Sequence, residues 1–235
     1  AVGASALLSN PTANLNSAVG YQALYTNSSG AGNAAFGTDA LYSNTTANYN
    51  SAVGYRALYS NTTGTPNTAV GAYTLYANTT GTSNVAVGGN AGGAGTAEAA
   101  LQANTVGQRN TAVGVGALKS NLAASDNAAF GYRALYSNTT GTANTATGVQ
   151  ALYSNTTGNL NTATGYQALY TSATGFNNTA MGYQALYTNT GSLNTAVGSY
   201  ALALNTTGTP NTALGARTLY VNTTGSFNVA VGTGV

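Results

Sequence analysis

The side chains that most often carry out catalysis are scarce in this chain. Among its 235 residues there are three carboxylates, Asp39, Glu98 and Asp126, and there is no His and no Cys. A catalytic pair of carboxylates must lie within several ångströms, whereas Asp39 and Asp126 are about five sequence repeats apart. Zinc sites need His, Cys or clustered carboxylate ligands. The sequence therefore predicts that the protein is not an enzyme and holds no metal or cofactor.

The charge distribution argues against two further classes of partner. Charged residues make up 3% of the chain and the net charge is +2, so there is no basic surface for nucleic acid. No apolar run approaches the roughly 18 residues that a membrane-spanning helix requires. We therefore predict no nucleic-acid partner and no membrane span in this chain.

Asn-x-Ser/Thr triplets recur along the chain and allow two interpretations. Eight occur at equivalent loop positions, at Asn27, Asn44, Asn61, Asn78, Asn138, Asn155, Asn205 and Asn222, and Asn177 adds a ninth elsewhere. Asn favours bends and hydrogen-bonds nearby backbone, which predicts a role in turns. The alternative is a row of glycosylated side chains along an outer edge.

These triplets belong to a repeat that runs through the whole chain. The Gly that closes motifs such as Ala-Val-Gly, here called the index glycine, occurs 14 times between Gly3 and Gly232. Eleven of the 13 intervals are 17 residues, one is 26 and one is 16. This period is too short for a pair of helices and suits one coil of a solenoid. We predict an all-β fold, a parallel β-solenoid of about 14 coils with 17 residues and two short strands per coil.

Residues at the same position of successive coils lie about 4.8 Å apart in a parallel solenoid, so identical side chains stack in ladders. Two rows of Asn predict hydrogen-bonded ladders at two corners of the coil, and a row of Leu predicts a column of core side chains. The ladder residues include Asn16, Asn33, Asn50, Asn67 and Asn84 in the first Asn row, Asn27, Asn44 and Asn61 in the second, and Leu24, Leu41 and Leu58 in the core. Ser172 is the one break in the second Asn row, and we predict local loosening there.

A row of Tyr follows each Leu and predicts a surface or interface. Its members are Tyr25, Tyr42, Tyr59, Tyr76, Tyr136, Tyr153, Tyr170, Tyr187 and Tyr220. Apolar residues occupy both parities of both predicted strands, so one set fills the coil and the other forms an external apolar stripe. The sequence leaves open which set points inward. The stripe and the low charge predict a homo-oligomer, a trimer or a polymer.

The motifs Asn-Thr-Ala-Val-Gly, Asn-Ser-Ala-Val-Gly-Tyr-Arg-Ala-Leu and Ala-Val-Gly-x-x-Ala-Leu resemble the head repeats of YadA-like trimeric autotransporter adhesins and related repeats of phage tail fibres. The resemblance covers essentially the whole chain, although the Asn-Thr-Thr-Gly loop makes each repeat longer here. It implies a left-handed β-roll, three chains around one axis and an extracellular location, at a cell surface or in a virion fibre.

Two classes of function remain at this point. The first is a structural protein, an extracellular filament or adhesive shaft, in which residues 1–235 form a single solenoid domain with a loop insertion at 89–99 and belong to a longer fibre. The second is a binding solenoid whose Thr, Tyr and Asn rows contact polysaccharide, cell-surface glycans or ice. Against ice, the adjacent Thr pairs are expected in loops rather than on a flat strand face.

Overall fold

The computed structural model of the protein describes residues 1–10, 12–89 and 98–234. These ranges contain thirteen β-strands and no helix. Eleven strands have three residues and the last two have four. In chain order they are β1 (Ser17–Val19), β2 (Ala34–Phe36), β3 (Ser51–Val53), β4 (Thr68–Val70), β5 (Val85–Val87), β6 (Thr111–Val113), β7 (Ala128–Phe130), β8 (Thr145–Thr147), β9 (Thr162–Thr164), β10 (Thr179–Met181), β11 (Thr195–Val197), β12 (Asn211–Leu214) and β13 (Asn228–Val231).

The chain divides into two compact units, Ala1–Ala123 and Ala124–Val235. In the first unit β1 to β6 pair in chain order, and every pairing is parallel. In the second unit β7 to β13 do the same. Each unit is therefore a parallel β-solenoid, as the repeat predicts. The single domain over residues 1–235 stays a prediction.

The pairing register follows the sequence repeat. Ala52 pairs with Ala69, 17 residues further along the chain. The two irregular intervals keep this register, because Ala86 pairs with Ala112 and Ala180 pairs with Ala196. The length changes are therefore absorbed outside the strands, where loops tolerate them. Most of the predicted insertion at 89–99, residues 90–97, lies outside the described residues.

The prediction of two strands per coil is wrong, because the segment after each index glycine is a pair of turns. In one coil the N–H of Ala57 donates to the carbonyl of Gly54 (3.3 Å) and that of Asn61 donates to Leu58 (3.2 Å). Arg56 and Leu58 both have a φ of 53°, which lies in the left-handed region and outside the strand region.

Contacts between coils persist in this turn segment without strand geometry. The N–H of Arg56 donates to Thr38 of the preceding coil, and the N–H of Leu58 donates to Thr74 of the following coil, both at 3.0 Å. In a β-strand, residues two apart point their N–H groups at the same neighbour, whereas here they point at opposite neighbours. Val and Tyr enrichment suggested a strand, but stacking between coils holds the alternating turn conformation instead.

The core is built from three columns of small or aliphatic side chains. The central strand residue is Ala, as in Ala35 and Ala52, and the turn segment adds Ala57 and Leu58, all fully buried. The Leu column is buried from Leu24 to Leu202, although Leu rarely adopts positive φ. Burial of the Leu side chain and its backbone bond to the next coil offset that conformational cost.

The index glycine is required by both its conformation and its surroundings. Gly54 has a φ of 134°, and a Cβ there would lie 2.6 Å from the carbonyl carbon of Gly71 in the next coil. A side chain would therefore push neighbouring coils apart. The strict recurrence of Gly at this position follows from the close approach of successive backbones.

Within the part of the chain that the structure describes, there is no helix of the length and hydropathy needed to cross a membrane.

The Leu column gives a direct test of this core. Leu152 is fully buried and Leu160 is 58% exposed, while both have positive φ, 51° and 59°. We expect Leu152→Ala to lower the free energy of unfolding by about 2–5 kcal/mol, because it leaves a cavity. Leu160→Ala is the matched control and should change it by less than about 0.5 kcal/mol. Denaturant unfolding measures both, and equal effects would contradict the packing described here.

Candidate functional site

The two Asn rows meet at one backbone carbonyl in most coils. The carbonyl of Gly64 accepts a hydrogen bond from the side-chain amide of Asn61 (3.1 Å) and another from that of Asn50 (3.0 Å). The same arrangement recurs at Gly158 in the second unit, with Asn155 and Asn144 as donors. The two rows therefore close one loop of the coil, and the expectation that they mark two separate corners is wrong.

Each Asn row also forms a ladder of side-chain amides between coils, and the first row adds a bond from the backbone N–H. In the second row, the amide of Asn44 donates to the side-chain oxygen of Asn27 (2.8 Å), and that of Asn61 donates to Asn44 (3.1 Å). In the first row, the side-chain oxygen of Asn33 accepts the backbone N–H of Asn50 at 2.9 Å. The same first-row bond joins further consecutive pairs, Asn16 with Asn33, Asn50 with Asn67, and Asn67 with Asn84.

Burial of the second Asn row bears on the glycosylation alternative. Seven of its Asn-x-Ser/Thr residues are fully buried, namely Asn27, Asn44, Asn61, Asn78, Asn138, Asn155 and Asn205. The amide nitrogen that a glycan would modify donates inward to carbonyl oxygens, as in Asn61. In the folded coil this row is a set of internal hydrogen bonds and not a glycosylated edge. Asn177, outside the row, is exposed.

Ser172 interrupts the second ladder in the second unit. It is fully buried, and its hydroxyl oxygen has no hydrogen-bond partner among the described residues. The side-chain oxygen of Asn155, one coil earlier, is likewise buried and unpaired. The shorter Ser side chain does not reach the positions that an Asn amide occupies in the other coils. Unpaired buried polar atoms cost about 1–3 kcal/mol each, so this coil is a weak point of the ladder.

The predicted Tyr row forms two columns of stacked rings, one in each unit. The first column is Tyr25, Tyr42, Tyr59 and Tyr76, with ring centroids 5.1–5.3 Å apart and planes within 13° of parallel. The second column is Tyr136, Tyr153, Tyr170 and Tyr187, with centroids 5.1–5.2 Å apart and planes within 10°. All eight side chains are half-buried. Tyr220, the last member of the predicted row, contacts the ring of Tyr200 edge-on instead.

Stacking limits what the Tyr columns offer to a ligand. Both faces of Tyr42 are occupied by neighbouring rings, Tyr25 and Tyr59, so a sugar ring has only ring edges and hydroxyls to contact there.

Burial raises the pKa of Tyr59, and the adjacent tyrosines raise it further. The native pKa of Tyr59 exceeds the ordinary value of 10.0. The contribution of this shift to folding stability is therefore complete below pH 10.0 and falls as pH rises through the native pKa.

Polar side chains two residues after the index glycine form a third external row, which sequence reasoning did not single out. The Nε of Arg56 donates to the Asp39 carboxylate at 3.1 Å, which raises the pKa of Arg56. The guanidinium also lies over the rings of Tyr55 and Tyr59, at 5.0 and 5.4 Å. In the second unit the row continues as a chain of amides, in which Gln184 donates to Gln167 and Gln167 to Gln150. The sequence contained a signal for this row, since its residues share one position of the repeat.

The last residue of each strand from β1 to β12, which precedes an index glycine and is here called the outer strand row, points away from the core. In the first unit the row is apolar throughout and consists of Val19, Phe36, Val53, Val70, Val87 and Val113. The first four are 38–43% exposed, whereas the Ala beside each is buried. The sequence left open which of the two alternating sets of strand residues points inward. In the structure Ala faces inward and the larger apolar residues face outward. In the second unit the row is mixed and consists of Phe130, Thr147, Thr164, Met181, Val197 and Leu214.

In the described residues there is no group of three or more His, Cys, Asp or Glu side chains able to hold a metal ion. Asp39 is engaged by Arg56. The surface rows, rather than any cluster of reactive groups, are therefore the candidate functional features.

No family model, no curated protein and no solved structure matches this chain.

The gap at Ser172 can be filled by a single substitution. We expect Ser172→Asn to raise the free energy of unfolding of the protein by about 1–2 kcal/mol, because the new amide pairs with the free oxygen of Asn155. Amide hydrogen exchange in this coil, faster than in its neighbours in the wild type, should slow to match them. The reciprocal variant Asn155→Ser widens the gap and should be destabilising. A neutral or destabilising Ser172→Asn would contradict the ladder account.

Proposed function

We propose that the protein is a structural shaft, an extracellular filament or adhesive spike assembled from copies of this chain packed side by side and end to end. The observation that carries the proposal is the uninterrupted apolar stripe formed by the outer strand row of the first unit. Contiguous exposed apolar surface of this kind usually marks an interface. Tyr21 and Tyr55, both exposed and just after their index glycines, widen it.

A second copy of the same chain is the partner that fits the stripe. Its six apolar residues recur once per coil, about 4.8 Å apart, and only a partner with the same repeat matches them along their whole length. Charged residues make up 3% of the chain, so little repulsion opposes side-by-side packing. The resemblance to adhesin head repeats supports three chains around an axis, left-handed winding and a surface or virion-fibre location, and the 14 index glycines support about 14 coils.

Assembly through the stripe is tested by charge substitution. We expect the wild-type chain to sediment as an oligomer, with a trimer as the first expectation. Val53→Lys with Val70→Lys should weaken association about a hundredfold or more, because each ammonium would be buried without a partner. Thr63→Lys with Thr80→Lys places the same charges on an exposed loop row and should leave assembly intact. A monomeric wild type, or equal association of the two variants, would contradict the proposal.

A binding surface is the second candidate, and one observation favours it. Strands β8 and β9 read Thr-Ala-Thr, with both Thr side chains outside and Ala buried. Outward hydroxyls and methyls on neighbouring strands make the regular array that ice or a polysaccharide would need. These Thr residues, which flank Ala on the strand face, are a different set from the adjacent Thr pairs, which lie in the loops.

Thermal hysteresis separates the two candidates. A shaft with its strand face buried in an oligomer should show none. Hysteresis that is present in the wild type, lost in Thr147→Lys with Thr164→Lys, and kept in Val53→Lys with Val70→Lys would favour ice binding. The last variant serves as the control, because it carries the same two charges on the first unit.

A further inference from the structure

The chain offers an oxidant few targets other than tyrosine. It has 17 Tyr but no Cys, no Trp and no His, and it has a single Met. Thiols and indoles ordinarily compete with phenols as one-electron donors, and here both are absent. Removal of one electron from this protein is therefore directed to Tyr side chains, with Met181 as the competing site for oxygen-transferring oxidants.

The two Tyr columns place phenol rings where a radical would meet a second phenol. In the first unit three consecutive contacts join four rings, with centroids 5.1–5.3 Å apart, and three equivalent contacts join the second column. Each contact links two consecutive coils of one chain. The side chains are half-buried, so the columns are partly accessible to solvent.

We propose that each Tyr column is a site of oxidative cross-linking, at which a one-electron oxidant couples consecutive tyrosines to dityrosine and joins neighbouring coils covalently. The inference does not depend on the oligomer, because both partners of every coupled pair lie in the same chain. The oxidant is a high-potential one-electron acceptor, such as a peroxidase intermediate or a photogenerated metal complex.

Atoms and electrons balance when the two rings couple. Each of two adjacent tyrosines gives one electron to the oxidant and its phenolic proton to water, which leaves two neutral phenoxyl radicals. A carbon–carbon bond forms between the ortho carbons of the two rings. The hydrogen on each of those carbons then moves to the phenoxyl oxygen, and both rings regain aromaticity. In total two hydrogens leave as two protons and two electrons, and two equivalents of oxidant are reduced.

The geometry also favours coupling within a column. A radical on Tyr153 has a phenol on either side, Tyr136 and Tyr170, already in ring contact. Rotation of the partly exposed side chains brings ortho carbons together without breaking the Asn ladders, which lie on a buried part of the coil. A cross-link then holds two coils together even when their hydrogen bonds open, which raises the resistance of the shaft to unfolding.

The test uses the full chain in dilute solution, with photogenerated tris(bipyridyl)ruthenium(III) and persulfate as the oxidant. We expect dityrosine fluorescence and, after digestion, peptides that join consecutive column tyrosines with the loss of two hydrogens. In a mixture of isotope-labelled and unlabelled chains, each cross-linked peptide should carry a single label, because coupling is within one chain. Chains unfolded in denaturant should lose this pairing between consecutive coils.

Phe substitution keeps the ring but removes the phenol, so it separates radical coupling from stacking. Tyr153→Phe with Tyr187→Phe leaves no adjacent phenols in the second column and removes three of the six column contacts. Dityrosine peptides from the second column should be lost while those from the first column remain, so the total yield should fall, at unchanged unfolding free energy. Tyr21→Phe with Tyr49→Phe removes two exposed phenols outside the columns and should leave the yield unchanged.

Three results would overturn the proposal. The first is an equal yield from the wild type and the Tyr153→Phe, Tyr187→Phe variant. The second is cross-linked peptides that join different chains or that involve mainly Tyr21 and Tyr49. The third is oxidation that ends at Met181 with no dityrosine. The first and third results do not depend on whether the chain assembles through its outer strand row.

Discussion

The structure depends on one backbone carbonyl per coil that accepts two buried side-chain amides. At Gly64 these amides come from Asn61 in the same loop and Asn50 in the coil before, so a single acceptor closes the loop and ties two coils together. Buried amides are costly unless they are fully paired, and here each pairs with both a carbonyl and a neighbouring Asn. The need to pair these buried amides fixes Asn at both ends of the loop, and few other residues can take its place there.

Successive coils also have to approach closely, and this constraint selects the remaining inner rows. Index glycines admit a neighbouring backbone where a Cβ would clash, and Ala on the strand keeps the coil thin. Leu fills the only wide part of the interior and tolerates positive φ because it is fully buried and hydrogen-bonded to the next coil. The core is therefore narrow, and its stability comes from repetition of the same contacts rather than from a large apolar volume.

Freedom of sequence is confined to rows that face outward, and those rows distinguish the two units. The outer strand row is entirely apolar in the first unit, whereas Thr147 and Thr164 interrupt it in the second. The Tyr columns are kept in both units, with the same spacing and stacking. A solenoid converts each repeat position into a line on the surface, so a single residue type repeated in sequence becomes a continuous apolar, aromatic or polar stripe.

The sequence by itself determined the solenoid, its 17-residue spacing and the Asn, Leu, Gly and Tyr rows, because a period in the chain becomes a stack in space. It also placed the break at Ser172, since one residue departs from an otherwise uniform Asn row. Only the tertiary structure decided which way each row points. The direction of each row's side chains was inferred from the alternation of residues along a strand. Positive φ at Arg56 and Leu58 removes that alternation from half of the coil. Contacts between coils impose this conformation, and they made the second strand a pair of turns and brought both Asn rows to one carbonyl.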